Sequence, residues 1–489
     1  MNELNKLSSS LLKRIVKNST VGLLEKLIEI SIGIVSIAII ARYLDIESFG
    51  LYALITTFAG TLLVLCSIGL DRVMVRDIAA NRENLLKYLQ DIKGARIILA
   101  GISLCLIIII SFPLGLNNKM TVGALLLFAI SEIISMYVTV YMSVFKAFEK
   151  MEYNTFITFL TKTITLSGLT IVVYFKLGFM AIFVSLAIGS MVKAIVTIST
   201  FRRYFSCDHI PVSFNHTKAI VKDSLIIAAS TFFALASIRM GIFMLKAFGT
   251  LKDVAYFQAA NVLLMQLQPV SVVIVAALYP AIASRKHDSN AILENAAKLI
   301  FMLSLPIMAL TFFYGSNLIM LVYGDKYIDA IPAMRILILS VVFTFLAHLF
   351  EIGLLSARRQ DLLTIGWGIA FFVNIVLGVV IVPRYGLIGC AAVMSLSYMA
   401  LFFALYYFMS HYTGFKVKSS IFIRPSAAFI AMVFYLYFFT STGKPLNIKL
   451  DTLNISLSLV LYMTILFMVK VFSIKDLEFI KNSLMPKRL

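Results

Sequence analysis

Charge is what this chain lacks most. Only 14% of its residues are Asp, Glu, Lys or Arg, against about 25% in an ordinary soluble domain. The four cysteines, Cys66, Cys105, Cys207 and Cys390, are scattered without ligand spacing, which argues against a disulfide framework and against a metal site. The patterns H-E-x-x-H, G-x-x-x-x-G-K-[ST] and G-x-S-x-G are absent. Zinc hydrolysis, ATP hydrolysis at a phosphate-cradling loop and serine-nucleophile chemistry therefore have no support, and no cofactor is implied. Long polar stretches are missing as well. No extramembrane domain is expected, and a catalytic role is not.

Apolar sequence fills that space. Sixty-one per cent of the residues are hydrophobic, and the mean hydropathy is +0.96. A hydrocarbon core about 30 Å thick needs roughly 20 apolar residues at about 1.5 Å each. Stretches 97–116, 124–145 and 455–471 come close to that measure. Continuous runs exclude a transmembrane barrel, whose strands are short and alternate. The sequence predicts an all-α polytopic protein of about fourteen transmembrane helices between 20 and 472. Five of the expected spans are 95–116, 254–283, 334–357, 361–382 and 386–411.

The formal charge of +19 would point to nucleic acid on a soluble chain. Here the basic residues concentrate on alternate loops, the pattern of membrane orientation, and no nucleic-acid partner is implied. Arg72, Arg76, Arg82, Lys87 and Lys93 fall in one expected loop, Arg202 and Arg203 flank another, and Arg358 and Arg359 mark a third. Lys475, Lys481, Lys487 and Arg488 follow the last span. The alternation predicts an even helix number with both termini cytoplasmic. Residues 1–20 are polar and basic, and Glu25, Lys26 and Glu29 interrupt the first apolar segment. The first helix is therefore expected to remain as an anchor rather than to be cleaved as a signal.

A repeat is visible. Lys176 and Gly178, between two apolar runs, recur 208 residues later as Arg384 and Gly386. Tyr52 and Tyr256, in similar settings, lie 204 residues apart. The shift is six helices, an even number, so the two halves insert in the same orientation. This predicts a six-helix bundle over 1–205, a second over 206–412, and two further helices with a basic tail over 413–489. Coincidence between low-complexity apolar segments is the competing account. Parallel repeats suit transporters that hold a site between two bundles.

Charges inside spans are the sharpest residue-level pointers, since each costs about 2.5–3.5 kcal/mol at mid-helix on insertion scales. Lys162 shares a helical face with Thr155, Thr158 and Thr165, and Lys193 with Ser185, Gly189 and Thr197. Lys26, Lys162, Lys193 and Arg239 are the candidate anion-binding cations. Glu29, Glu132, Glu351, His348, Asn261 and Gln268 are the candidate cavity polar or ion-coupling groups. Thr344, His348 and Glu351 share one face, as do Asn261 and Gln268. Structural alternatives stand beside each. Lys26 and Glu25 sit where snorkelling accounts for them, the two lysines can bridge helices of one bundle through Glu132 or Glu351, Arg239 can pair with lipid phosphate, and His348 can be an interhelical hydrogen-bonder. Pro269 and Pro306 fall inside expected helices, where proline frees backbone groups.

The junctions carry a resemblance. Ala41-Arg42-Tyr43-Leu44-Asp45-Ile46-Glu47-Ser48-Phe49-Gly50-Leu51-Tyr52 follows the first span, and Gly69-Leu70-Asp71-Arg72 with Arg76 follows the second. Lys146-Ala147-Phe148-Glu149-Lys150-Met151-Glu152-Tyr153 ends the fourth. Leu278-Tyr279-Pro280-Ala281, Val322-Tyr323-Gly324-Asp325-Lys326-Tyr327 and Val382-Pro383-Arg384-Tyr385-Gly386-Leu387-Ile388-Gly389 come later, in order. Together they resemble the O-antigen (Wzx-type) polysaccharide flippases, a group within the superfamily that also holds multidrug antiporters and lipid II flippases. The resemblance implies transfer of an undecaprenyl-pyrophosphate-linked oligosaccharide across the bacterial inner membrane, from cytoplasmic to periplasmic leaflet, by alternating access. It further implies a place in lipopolysaccharide O-antigen biosynthesis, with membrane lipids, a polysaccharide polymerase and chain-length machinery as partners. One departure is clear: relatives carry an acid two residues after the Arg of the seventh span, and here Arg239-Met240-Gly241 lacks it. A multidrug or small-molecule cation antiporter is the alternative. A polymerase or ligase is a third, which the missing large loop disfavours.

Overall fold

The computed structural model describes residues 2–67, 69–71, 74–75, 78, 85–205, 210–214, 217–283, 289–415, 420–440, 448–469 and 471. Arg72, Arg76, Arg82, Cys207 and the basic residues after 472 lie outside the described residues. Fifteen α-helices are present among the described residues, and no strand. In chain order they are α1 (Asn2–Tyr43), α2 (Ile46–Leu63), α3 (Leu85–Ser111), α4 (Lys119–Ala147), α5 (Met151–Tyr174), α6 (Phe179–Phe205), α7 (Thr217–Phe248) and α8 (Leu251–Met265). There follow α9 (Gln268–Ala283), α10 (Ser289–Tyr323), α11 (Ile331–Ile338), α12 (Val341–Ser356), α13 (Gln360–Thr413), α14 (Ser420–Phe439) and α15 (Ile448–Met468). Two compact units divide the chain, Met1–Arg239 and Met240–Leu489. The division falls inside α7.

Eleven helical segments are long and apolar enough to cross a membrane, and a twelfth arises if the bent pair Asp325–Ile338 and Val341–Ser356 is one span. The expected fourteen are reached when α13 is split at Gly386, whose φ of 50° and ψ of −129° break the helix, and when α1 is added. Helix α1 carries Glu25, Lys26, Glu29 and Arg42 within its apolar stretch, which sets it apart from the other eleven. Large apolar side chains such as Ile109, Phe372, Ile430 and Phe434 are exposed along the spans. A chain that turns large apolar side chains outward along helices of this length is folded for lipid.

Three boundaries differ from the sequence expectation, each for a physical reason. Helix α3 starts at Leu85 instead of 95, so Lys93 lies inside a helix and is buried, not a loop residue. The Lys93 ammonium donates to the Ile210 carbonyl at 2.7 Å and lies 5.9 Å from the centres of the Tyr137 and Tyr141 rings. The eighth span breaks into α8 and α9 at Gln266–Leu267, placing Pro269 in the first turn of α9, where its missing N–H costs nothing. Asn261 and Gln268 therefore belong to separate helices rather than one face. The tenth span bends by 46° between α11 and α12.

Within the first unit, α4, α5 and α6 pack through small residues and aromatic rings. A Cβ on Gly189 would lie 2.1 Å from Thr165 Oγ1, and one on Gly168 2.4 Å from Ser185 Oγ, the close approach that small residues allow between membrane helices. Where α4 and α6 end, Tyr141 and Phe145 meet Phe201 edge to face, and Phe201 and Phe205 lie tilted with centres 4.7 Å apart. In the second unit, Pro306 lies inside α10. Its missing N–H deprives the Met302 carbonyl, four residues back, of its helical donor. Tyr462 of α15 supplies one instead, its hydroxyl donating to Met302 O at 2.8 Å.

Candidate functional site

A polar cavity of 620 Å³ lies within the first unit, walled by α1, α4, α5 and α6 with Tyr52 of α2 and Asp71. Its lining follows from helical periodicity. On α4, Glu132, Ser135, Thr139, Ser143 and Lys146 line it, spaced by three and four residues so that they form one stripe. From Glu132 to Lys146 that stripe runs about 21 Å at 1.5 Å per residue. On α5 the lining is Thr158, Thr161, Lys162 and Thr165, and on α6 it is Gly189, Ser190 and Lys193. Helix α1 contributes Glu25, Glu29 and Ser36. A shallower recess of 790 Å³ at the turns after α1 and α5 carries Arg42, Asp45 and Lys176, without the hydroxyl array.

Charge in the cavity is mixed. Four carboxylates (Glu25, Glu29, Asp71, Glu132) and three ammonium groups (Lys146, Lys162, Lys193) line it. Lys193 donates to Ser135 Oγ at 2.7 Å, tying α6 to α4, and stands within electrostatic reach of Glu132, Lys162 and Glu29. Lys162 and Glu132 make no hydrogen bond among the described residues. Thr158 donates to Glu25 Oε1 at 3.2 Å. A mixed array of this kind offers ammonium donors to an anion, carboxylates to hydroxyl donors, and hydroxyls to either.

The ten predicted residues divide into four groups. Lys162, Lys193, Glu29 and Glu132 come together in the cavity. Lys26 does not line it; exposed on α1, it pairs with Glu29 at 2.7 Å. Arg239 is also outside the lining. Its guanidinium packs over Gly60 of α2, where a Cβ would lie 2.8 Å from Nη1, and donates to Thr61 Oγ1 at 3.3 Å. The second unit holds the rest in smaller contacts. Gln268 donates to Thr344 Oγ1 at 3.2 Å, His348 Nδ1 lies 2.6 Å from Ser271 Oγ, and Trp367 donates to Glu351 at 2.8 Å. Asn261 is buried on α8, and its Oδ1 has no hydrogen-bond partner among the described residues.

Sequence reasoning missed Asp71 and Arg96. Asp71 Oδ1 receives Arg96 Nη2 in an ion pair and Ser143 Oγ at 3.3 Å, while Arg96 Nη1 donates to Thr139 at 2.7 Å. The available signal was the α4 spacing of Thr139 and Ser143, which continues the face begun by Glu132 and Ser135.

The family profile described as polysaccharide biosynthesis protein matches residues 15–286. The chain belongs to the polysaccharide biosynthesis protein family. Comparison with curated proteins by sequence finds no match. Among solved structures the chain is similar to the lipid II flippase MurJ in an inward closed conformation, with a TM-score of 0.74 and 14% identity over 92% of this chain and 98% of that one. It is similar to a mutant of the Vibrio cholerae MATE transporter VcmN, with a TM-score of 0.56 and 16% identity over 82% of this chain and 97% of that one. It also resembles a MOP superfamily transporter from Pyrococcus furiosus, with a TM-score of 0.52 and 14% identity over 82% and 95%. At these identities the likeness establishes the fold. This member of the polysaccharide biosynthesis protein family is a multi-pass membrane protein with that fold.

Proposed function

We propose that the chain is a flippase that moves an undecaprenyl-pyrophosphate-linked oligosaccharide, an O-antigen repeat unit, from the cytoplasmic to the periplasmic leaflet by alternating access. The observation that carries this reading is the hydroxyl-rich, mixed-charge cavity of the first unit in a chain of this family. In this reading the sugar head enters the cavity while the polyprenyl tail stays in lipid. Lys162 and Lys193 meet the pyrophosphate, Ser, Thr and carboxylate groups meet sugar hydroxyls, and Lys26 and Arg239 act from the cavity's surroundings. Glu29, Glu132, Glu351, His348, Asn261 and Gln268 are the candidate polar and coupling groups. The protein sits in the bacterial inner membrane with both termini cytoplasmic, built as 1–205, 206–412 and 413–489. A polymerase and chain-length machinery act on its product. No catalytic residue is assigned, and the fold neighbour named as a lipid II flippase supports the assignment.

The test is surface polysaccharide in a deletion strain carrying Lys193→Ala or Arg239→Ala at wild-type expression. Loss of display is expected in both, and full display in both would refute the assigned roles. A second reading, a multidrug or small-molecule cation antiporter, is favoured by the four cavity carboxylates. It predicts drug sensitivity with intact surface polysaccharide on deletion.

A further inference from the structure

The α4 stripe joins two polar subsites. One is Lys193 on Ser135, with Lys162 and Glu132 beside it. The other is Asp71 on Ser143, with Arg96 and Thr139. Eight residues of helix separate Ser135 from Ser143, about 12 Å at 1.5 Å per residue. Arg96 is 2% exposed, whereas the Asp71 side chain keeps 36% of its surface and lines the cavity. Both donors to Asp71 reach the same oxygen, Oδ1, and Oδ2 receives no hydrogen bond among the described residues. The carboxylate is thus locked in orientation, its charge compensated from behind by a buried guanidinium, with one oxygen left to accept from the cavity. A compensated carboxylate has little attraction for a free cation and remains a strong acceptor for neutral O–H donors.

We propose that Asp71 is a specificity-determining residue that accepts hydroxyls of a sugar lying beyond the one next to the pyrophosphate, so that the cavity reads glycan length. The proposal rests on the flippase reading above. Arg96 is its positioning residue, since it touches Asp71 rather than the glycan.

The experiment uses the purified full chain in lipid nanodiscs and two probes. One is undecaprenyl pyrophosphate bearing the complete repeat unit of the source strain, and the other is the same lipid bearing only the first sugar. Asp71→Asn is expected to raise the Kd for the complete unit about tenfold, the scale of one hydrogen bond to a charged group, and to change the Kd for the one-sugar lipid less than twofold. Ser143→Ala, which keeps the ion pair, should shift the same ratio in the same direction by a smaller factor. Equal weakening of both probes, or an unchanged Kd for the complete unit, overturns the proposal. If Asp71→Asn does not fold, Ser143→Ala decides by the same ratio. A wild-type chain that binds neither probe overturns the flippase reading itself, and this inference with it.

Discussion

Replacing Tyr462 with Phe removes a single oxygen and should destabilise the second unit in a way that depends on Pro306. The Tyr462 ring is 2% exposed, its hydroxyl donates to Met302 O at 2.8 Å, and Met302 is 4% exposed. Within a span no water reaches that carbonyl, and Pro306 cannot donate to it. Losing a neutral hydrogen bond and leaving its acceptor unsatisfied costs about 1–3 kcal/mol in water-soluble cores. Hydrogen bonds between membrane helices average about 0.6 kcal/mol, because the unfolded chain in a membrane also finds partners. The expected cost is therefore about 1 kcal/mol. In a Pro306→Ala background the helix regains its own N–H donor at 306, and the same Tyr462→Phe change should cost no more than a few tenths of a kcal/mol. Reversible unfolding in mixed micelles, run as a double-mutant cycle, gives both numbers. Equal costs in the two backgrounds would refute the claim that Tyr462 substitutes for the missing helix donor.

Other perturbations test other joints. Asp45 caps α2 by accepting the Ser48 N–H at 3.1 Å, and hydrogen bonding from the Ser48 side chain, with a smaller part from its backbone N–H, holds its carboxyl below the usual range. Asp45→Ala should cost about 1 kcal/mol at neutral pH. Because the folded-state value is depressed, the contribution is complete above the ordinary carboxylate pKa and fades as pH falls through the lowered one; a pH-independent difference in unfolding would contradict this. Gly386→Ala places a side chain at φ 50° and ψ −129°, with an expected loss of about 1–3 kcal/mol by thermal unfolding. Gly189→Ala drives a methyl to within 2.1 Å of Thr165 Oγ1 and should cost about 1–3 kcal/mol through overpacking, measured the same way. Arg96→Met strips the counter-charge from Asp71. It should destabilise by about 3 kcal/mol, the low end for a broken buried pair because Asp71 is partly exposed, and Asp71→Leu should recover part of that loss.

Helix identity was legible because hydropathy acts over whole spans, and the expected fourteen match once the bent α11–α12 pair is taken as one span, α13 is split at Gly386 and α1 is included. Cavity membership was legible where a charge broke an apolar run, as at Glu132, Lys162 and Lys193. It failed where charge pairing hid the polarity from any local window. Lys93 looks like a loop residue in the sequence and Arg96 like the edge of a span, yet Arg96 is ion-paired with Asp71 and Lys93 donates to the Ile210 carbonyl, partners 25 and 117 residues away. Lys26 and Arg239 failed differently. Their depth in the membrane was readable, but the direction of a long side chain is set by tertiary neighbours such as Glu29 and the bare face of Gly60.

The most direct measurement of the central claim is the leaflet in which undecaprenyl-linked repeat units reside, read by labelling spheroplasts with an impermeant lectin. With the gene deleted, or with Lys162→Ala and Lys193→Ala combined, the units should accumulate facing the cytoplasm and stay unlabelled, while the wild-type chain exposes them. Labelling at wild-type level in the deletion strain would contradict the account.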